Sequence, residues 1–177
     1  MNILILTGSP HRCGTSALLA DKFTEGALEA GHRVFRFDAA FENVHPCIAC
    51  ESCKDRGVCV FTDSMEKLRP EMRDADMVVF VTPMYSHAMT AQLKAVVDRF
   101  HCFRTEMLNK DKKAALMMTA AANNTLYEGI VGSYREMLRH LKWENAGMIL
   151  AVGCPNREAI EKTDFPQKAY EFGNSLK

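Results

Sequence analysis

The stretch Ile3-Leu4-Ile5-Leu6-Thr7-Gly8-Ser9-Pro10-His11-Arg12-Cys13-Gly14-Thr15-Ser16 decides how the rest of the chain is read. Its opening apolar run is continuous rather than alternating, the pattern of a strand covered on both faces. A short loop then leads into a helical pattern over residues 16–30, which stops at Gly31, a natural C-cap. Strand, loop and helix in that order open a βαβ chain. The loop's hydroxyls and small residues at a helix start suit an anion, because first-turn N–H groups and the helix dipole favour negative charge. The loop matches neither G-x-G-x-x-G nor G-x-x-x-x-G-K-[ST], so a monophosphate fits better than a dinucleotide or a nucleoside triphosphate. Ser9, Thr15 and Ser16 would supply hydroxyls and His11 or Arg12 the charge; the plain alternative is a capped turn.

Outward from this unit the alternation repeats. Further continuous runs at 77–82, 114–119 and 148–152 read as buried strands, and 33–37, with arginines interspersed, as one nearer an edge. Helical patterns cover 86–103, 126–142, 165–176 and 63–73, the last with Pro70 expected to kink or end it. Five strands alternating with helices predict an α/β, doubly wound, flavodoxin-like sandwich, with a parallel sheet in the order 2-1-3-4-5 and helices on both faces. Ligands then bind beyond the carboxyl ends of the strands. Residues 1–177 read as a single domain, with 39–62 as a long cysteine-containing loop.

The bulk properties narrow the function classes. The 22 Lys and Arg residues balance 22 Asp and Glu, which gives no electrostatic case for nucleic acid or an anionic membrane. No apolar run approaches the roughly 20 residues of a membrane span. The first residues lack a basic n-region and read as a strand rather than a signal peptide. Seven cysteines in such a chain are expected to be reduced thiols or ligands in a cytoplasmic protein.

Two more loops fall on the ligand-binding edge. Thr82-Pro83-Met84-Tyr85-Ser86-His87 presents an aromatic and a flexible apolar side chain, which suits a planar ligand such as an isoalloxazine ring. Thr119-Ala120-Ala121-Ala122-Asn123-Asn124 is small enough for close approach. Each alone could be ordinary loop packing.

The run Cys47-Ile-Ala-Cys50-Glu-Ser-Cys53-Lys-Asp-Arg-Gly-Val-Cys59 places four thiols within thirteen residues. C-x2-C-x2-C can point three thiolates at corners of one cubane, with a fourth reached after Gly57 turns the chain back. Zinc and free, redox-labile thiols are the alternatives. Cys13 reads as a spectator, Cys102 and Cys154 as core thiols, and Met117 and Met118 as core residues. His45, His101 and His140 lack ligand spacing, and Asp98-Arg99 reads as a structural ion pair.

Taken together the chain resembles the NAD(P)H-dependent FMN reductase branch of the flavodoxin-like superfamily, and within it the iron–sulfur flavoproteins. The resemblance is carried by Gly8-Ser9-Pro10 with Gly14-Thr15-Ser16, by the cysteine run followed by Asp63-Ser64-Met65, by Thr82-Pro83-Met84-Tyr85, and by Leu93-Lys94-Ala95 through Asp98-Arg99. It implies an FMN phosphate held by Ser9, His11, Gly14, Thr15 and Ser16, with Arg12 as the fixed charge. The flavin ring would lie between Pro83, Met84, Tyr85 and Ser86 on one side and Thr119, Ala120, Ala121 and Asn123 on the other. His11 stands where relatives usually carry Arg, Thr15-Ser16 where they carry Asn-Thr, and the alanines 120–122 where glycines are common.

The same resemblance implies a [4Fe–4S] cluster on Cys47, Cys50, Cys53 and Cys59, although the loop also occurs in relatives that carry FMN alone. The implied function is an FMN-binding oxidoreductase that takes hydride from NAD(P)H and passes electrons to a small-molecule acceptor. A one-electron carrier serving a ferredoxin-like partner is the alternative, and a thiol redox sensor a further one. A homodimer or homotetramer is implied too. No side-chain acid or base is nominated, because the cofactor carries the chemistry.

Overall fold

Five strands form one parallel sheet: β1 (Asn2–Thr7), β2 (Arg33–Asp38), β3 (Met77–Pro83), β4 (Lys113–Thr119) and β5 (Glu144–Ala151). Their order is 2-1-3-4-5, as the alternation of strands and helices predicts. The computed structural model describes residues 1–107, 111–124 and 126–177. Among them the helices are α1 (Thr15–Glu29), α2 (Ser52–Arg56), α3 (Met65–Asp74), α4 (Ala91–Asp98), α5 (Arg104–Met107), α6 (Glu128–Leu141), α7 (Arg157–Glu161) and α8 (Phe165–Asn174). None of these is long and apolar enough to cross a membrane.

The uninterrupted apolar runs are explained by two separate cores. Ile3, Ile5, Met77, Val79 and Val81 pack under α1 and α8, while Leu4, Leu6, Val78 and Phe80 face α3, α4 and α6. Apart from the half-buried ends Asn2, Pro83 and Lys113, every position of the central strands is thus inside, whichever way it points. The α1–α8 layer is thin. A Cβ on Gly26 would stand 2.1 Å from the Tyr170 carbonyl oxygen, and one on Gly173 would stand 2.2 Å from that of Phe23. Two glycines therefore let the helix backbones touch.

Three local expectations are corrected. The helix predicted over 86–103 begins only at Ala91, because Tyr85 and Ala88 exchange two backbone hydrogen bonds of 3.0 Å around a tight turn. Ser86 and His87 occupy that turn with φ of 49° and 62°. Thr90 then caps the helix, and beyond Asp98 the chain tightens into a 3-10 turn over Arg99–Phe103. Pro70 does not end α3, which runs on to Asp74 with the proline on its exposed face. The missing hydrogen bond is left where water can replace it. Two short helices, α2 and α7, were not expected; neither is long enough to show a periodic pattern.

Candidate functional site

Parallel pairing brings the carboxyl ends of β1, β3, β4 and β5 to one edge, and the loops that follow them surround a cleft of about 610 Å³. That lies within the roughly 300–1,000 Å³ of small-molecule sites.

The loop after β1 is fixed from beneath. The Gly8 N–H donates to the Val81 carbonyl at 2.8 Å, and Thr90 Oγ1 donates to the Gly8 carbonyl at 2.7 Å. A Cβ on Gly8 would lie 2.3 Å from Thr90 Oγ1 and 2.8 Å from Leu93 Cβ, so the glycine admits the start of α4. Ser9 Oγ accepts from the His11 N–H at 3.1 Å, folding the loop over the start of α1. Gly14 is the N-cap and no side chain bonds there, so the first-turn N–H groups of α1 face the cleft without a competing carboxylate.

The other walls are tied to this loop and to one another. Thr15 Oγ1 donates to Thr119 Oγ1 at 3.0 Å, and Ser16 Oγ meets the same oxygen at 2.8 Å. Backbone N–H groups of Met84, Ala120 and Cys154 donate to the carbonyls of Thr119, Ala151 and Ala120, each at 2.8 Å. The sheet ladder thus continues into the cleft floor.

Ser9, His11, Arg12, Gly14, Thr15, Pro83, Met84, Tyr85, Thr119, Ala120 and Ala121 all line this cleft. Ser16 does not; it is buried beneath, against Thr119. Ser86 stands exposed in its turn, outside the lining. Asn123 also falls outside, packed so tightly on Gly153 that a Cβ there would sit 1.8 Å from its Oδ1. Arg12 lays its guanidinium 3.7 Å from the centroid of the Phe41 ring, which holds a fixed positive charge at the rim.

A fourth wall escaped sequence reasoning: Cys154, Pro155, Asn156 and Arg157, after β5. Asn156 Oδ1 caps α7 by accepting from the Ala159 N–H at 2.9 Å, and Arg157 Nε pairs with Glu161 at 2.8 Å. The signal that could have found it is Pro-Asn ahead of Arg-Glu-Ala, an N-cap signature. Cys154 is buried, and burial pushes its thiol up from the ordinary range. Chemically the cleft offers helix N–H groups with Arg12 and Arg157 for an anion, and Pro83, Met84, Tyr85 and Ala120 for a flat apolar body.

The cysteine loop forms a second site. Cys47, Cys50, Cys53 and Cys59 line one cavity together with Ile48, Glu51, Val60, Phe61, Arg99, His101 and Cys102. All seven cysteines are free thiols, and among the described residues no three Cys, His, Asp or Glu side chains converge on one metal position. Ala49 and Glu51, with φ of 54° and 59°, wind the segment between the first three cysteines, and Gly57 at 68° turns it back after α2. Left-handed backbone at non-glycine residues is costly and gathers at functional loops.

The loop is fastened at its ends. The Asp63 side chain, 1% exposed, accepts from the N–H groups of His45 at 3.0 Å and Met65 at 3.1 Å, and forms an ion pair with Arg99. Burial alone would raise the Asp63 pKa, but Arg99 and the two N–H groups outweigh it and hold the carboxyl below its ordinary value of 3.8. Arg99 Nη1 also donates to the His45 carbonyl at 3.1 Å, and Arg69 Nη2 donates to the carbonyls of Gly57 at 3.2 Å and Cys102 at 2.7 Å. The expected Asp98–Arg99 ion pair is corrected: Arg99 pairs with Asp63, 36 residues upstream, while Asp98 pairs with Lys94 on the surface. Burial lifts the Cys102 thiol to about 11, with Arg99 pulling against it, so this fifth sulfur stays protonated at neutral pH.

A sequence profile for the family described as NADPH-dependent FMN reductase matches residues 1–152. The chain belongs to this family. Within reach of it stands an iron–sulfur flavoprotein from Methanosarcina thermophila, 33% identical over 143 residues that make up 78% of this chain and 73% of that one. Another iron–sulfur flavoprotein, from Methanocaldococcus jannaschii, is 27% identical over 124 residues; the match covers 70% of this chain but only 64% of that protein. Among solved structures, the NAD(P)H:quinone oxidoreductase from Methanothermobacter marburgensis superposes with a TM-score of 0.75 at 20% identity, covering 99% of this chain and 95% of that one. At that identity the likeness speaks for the fold.

Proposed function

We propose that the chain is a flavin-dependent oxidoreductase that holds FMN in the four-walled cleft and takes hydride from NAD(P)H for delivery to a small-molecule acceptor. The observation that carries this reading is the single cleft in which the loops after β1, β3, β4 and β5 meet the N-terminus of α1. The donor set fits FMN at both ends. Ser9, Gly14 and Thr15 at the start of α1, with Arg12 and Arg157, suit a phosphate, and Pro83, Met84, Tyr85, Thr119, Ala120 and Ala121 suit the ring. When bound, FMN supplies hydride and single-electron chemistry. The protein's part is to bind, orient and shield it. Thr119 locks Thr15 and Ser16 in place, and exposed Tyr85 stands at the mouth, where a second planar ligand would stack. His11 lines the cleft from an exposed position, Ser86 lies outside it, and Asn123 would act through Gly153.

A second reading concerns the cysteine loop. Four free thiols in one cavity, beside a buried guanidinium, fit a [4Fe–4S] cluster held by Cys47, Cys50, Cys53 and Cys59. With a cluster the chain would take single electrons from a ferredoxin-like partner. The exposed apolar side chains Ile48, Val58 and Val60 on this loop favour such docking or self-association as a homodimer or homotetramer. A reducing cytoplasm would keep these thiols available. Protein purified without oxygen should show flavin absorption that NAD(P)H bleaches rapidly, and iron that tracks the four cysteines. Bleaching only by reduced ferredoxin would favour the carrier; flavin-free protein that binds no added FMN would end both readings.

A further inference from the structure

Arg99 is 2% exposed, yet only one of its three nitrogens is accounted for. Nη1 serves both Asp63 and the His45 carbonyl, while Nε and Nη2 are buried with no hydrogen-bond partner among the described residues. A guanidinium is always charged and carries five N–H donors in a rigid fork. Leaving part of that fork dry and unpaired is unfavourable, so native interiors rarely do it without a ligand to supply the acceptor.

The surroundings name the acceptor. Arg99 lines one cavity with Cys47, Cys50, Cys53, Cys59 and Cys102. Its other neighbours there are Ile48, Val60 and Phe61, whose ring centroid is 5.4 Å from the guanidinium carbon. Glu51 is engaged by Lys54, and both it and His101 face solvent. Within this cavity the side-chain acceptor neither engaged nor turned to solvent is sulfur.

We infer that Arg99 is a positioning residue whose Nε–H and Nη2–H donate to the sulfur of the anionic group held by the four loop cysteines, and so set its reduction potential. The inference rests on the cluster reading above. Hydrogen bonds to cluster and ligand sulfur, and nearby positive charge, stabilise the reduced, more negative state and raise the potential. The Asp63 pair fixes the fork's direction, much as second-layer carboxylates orient metal ligands.

The test uses the whole protein, purified without oxygen. Iron and sulfide are counted in the wild type first; their absence overturns the cluster reading and this inference with it. Arg99→Lys keeps the charge and loses the fork. It should retain iron and shift the cluster midpoint downward by a factor of about ten in the one-electron equilibrium, roughly 59 mV, with the flavin midpoint unmoved. Altered Fe–S stretching frequencies should accompany the shift. Should Arg99→Lys lose iron, the neutral pair Asp63→Asn with Arg99→Gln serves instead and should show at least the same fall. An unchanged cluster midpoint in a variant that keeps its iron overturns the inference. So does loss of iron from both variants with flavin retained, because Arg99 is then a clamp for the loop and nothing more.

Discussion

The cleft above β1, β3, β4 and β5 is closed by backbone hydrogen bonds that prolong the sheet, whereas the cysteine loop between β2 and α3 is fastened by side chains at its two ends. In the cleft, the N–H groups of Met84, Ala120 and Cys154 donate to backbone carbonyls of the neighbouring chain segments, and Gly8 is wedged under Thr90. In the loop, Asp63, Arg99 and Arg69 grip the entry and the exit; between them Cys47 and Cys50 are exposed and Cys53 and Cys59 half-buried. A fold that builds one site from its framework and hangs the other from a buried ion pair should let the two fail separately.

The largest effect should come from the ion pair. Asp63→Ala leaves Arg99 charged, buried and unpaired, a change that costs about 3–5 kcal/mol in comparable sites. Denaturant midpoints should register it, while FMN affinity of the folded fraction stays near that of the wild type. The same pair sets an acid limit. Because the native Asp63 pKa lies below its ordinary 3.8, the folded state binds this proton less readily than the unfolded one. Its stabilisation is complete above that ordinary value and is lost as pH falls through the lower native one. Asp63→Asn should therefore flatten the acid limb of a stability profile and leave the neutral region sloping as before.

Next in size is Gly8→Val. The added side chain must displace Thr90 or Leu93, at a cost of about 1–3 kcal/mol, or a melting temperature lower by about 2–4 °C per kcal/mol. Here the loss should be shared: both stability and FMN affinity fall, because the wedge is part of the cleft. Thr119→Val comes third. It removes the oxygen that Thr15 and Ser16 share and should lower stability by about 1 kcal/mol, with FMN affinity down several-fold in an equilibrium titration.

The difference between the two regions also explains what the chain disclosed in advance. The apolar runs of β1, β3 and β4 announced the sheet and its order because both of their faces are buried, and the loop after β1 announced itself through Gly8, Ser9 and Gly14. The Cys154–Arg157 wall went unread because a five-residue helix has no periodicity and its one signal is the side-chain cap of Asn156. Ser86 and His87 were read as helix because nothing in their identity signals a left-handed turn that elsewhere takes glycine or asparagine. The partner of Arg99 could not be read either. Asp98 is adjacent in sequence and Asp63 is adjacent in space, and only packing decides between them.

The smallest expected change is the most informative. Apo-protein titrated with FMN, followed by quenching of flavin fluorescence, should saturate at one FMN per chain. A variant with Ser at positions 47, 50, 53 and 59 should do so with affinity within about twofold, because sites without shared partners act additively. Failure of the unaltered chain to bind FMN, or loss of binding together with the four cysteines, would contradict a cleft built by the sheet alone.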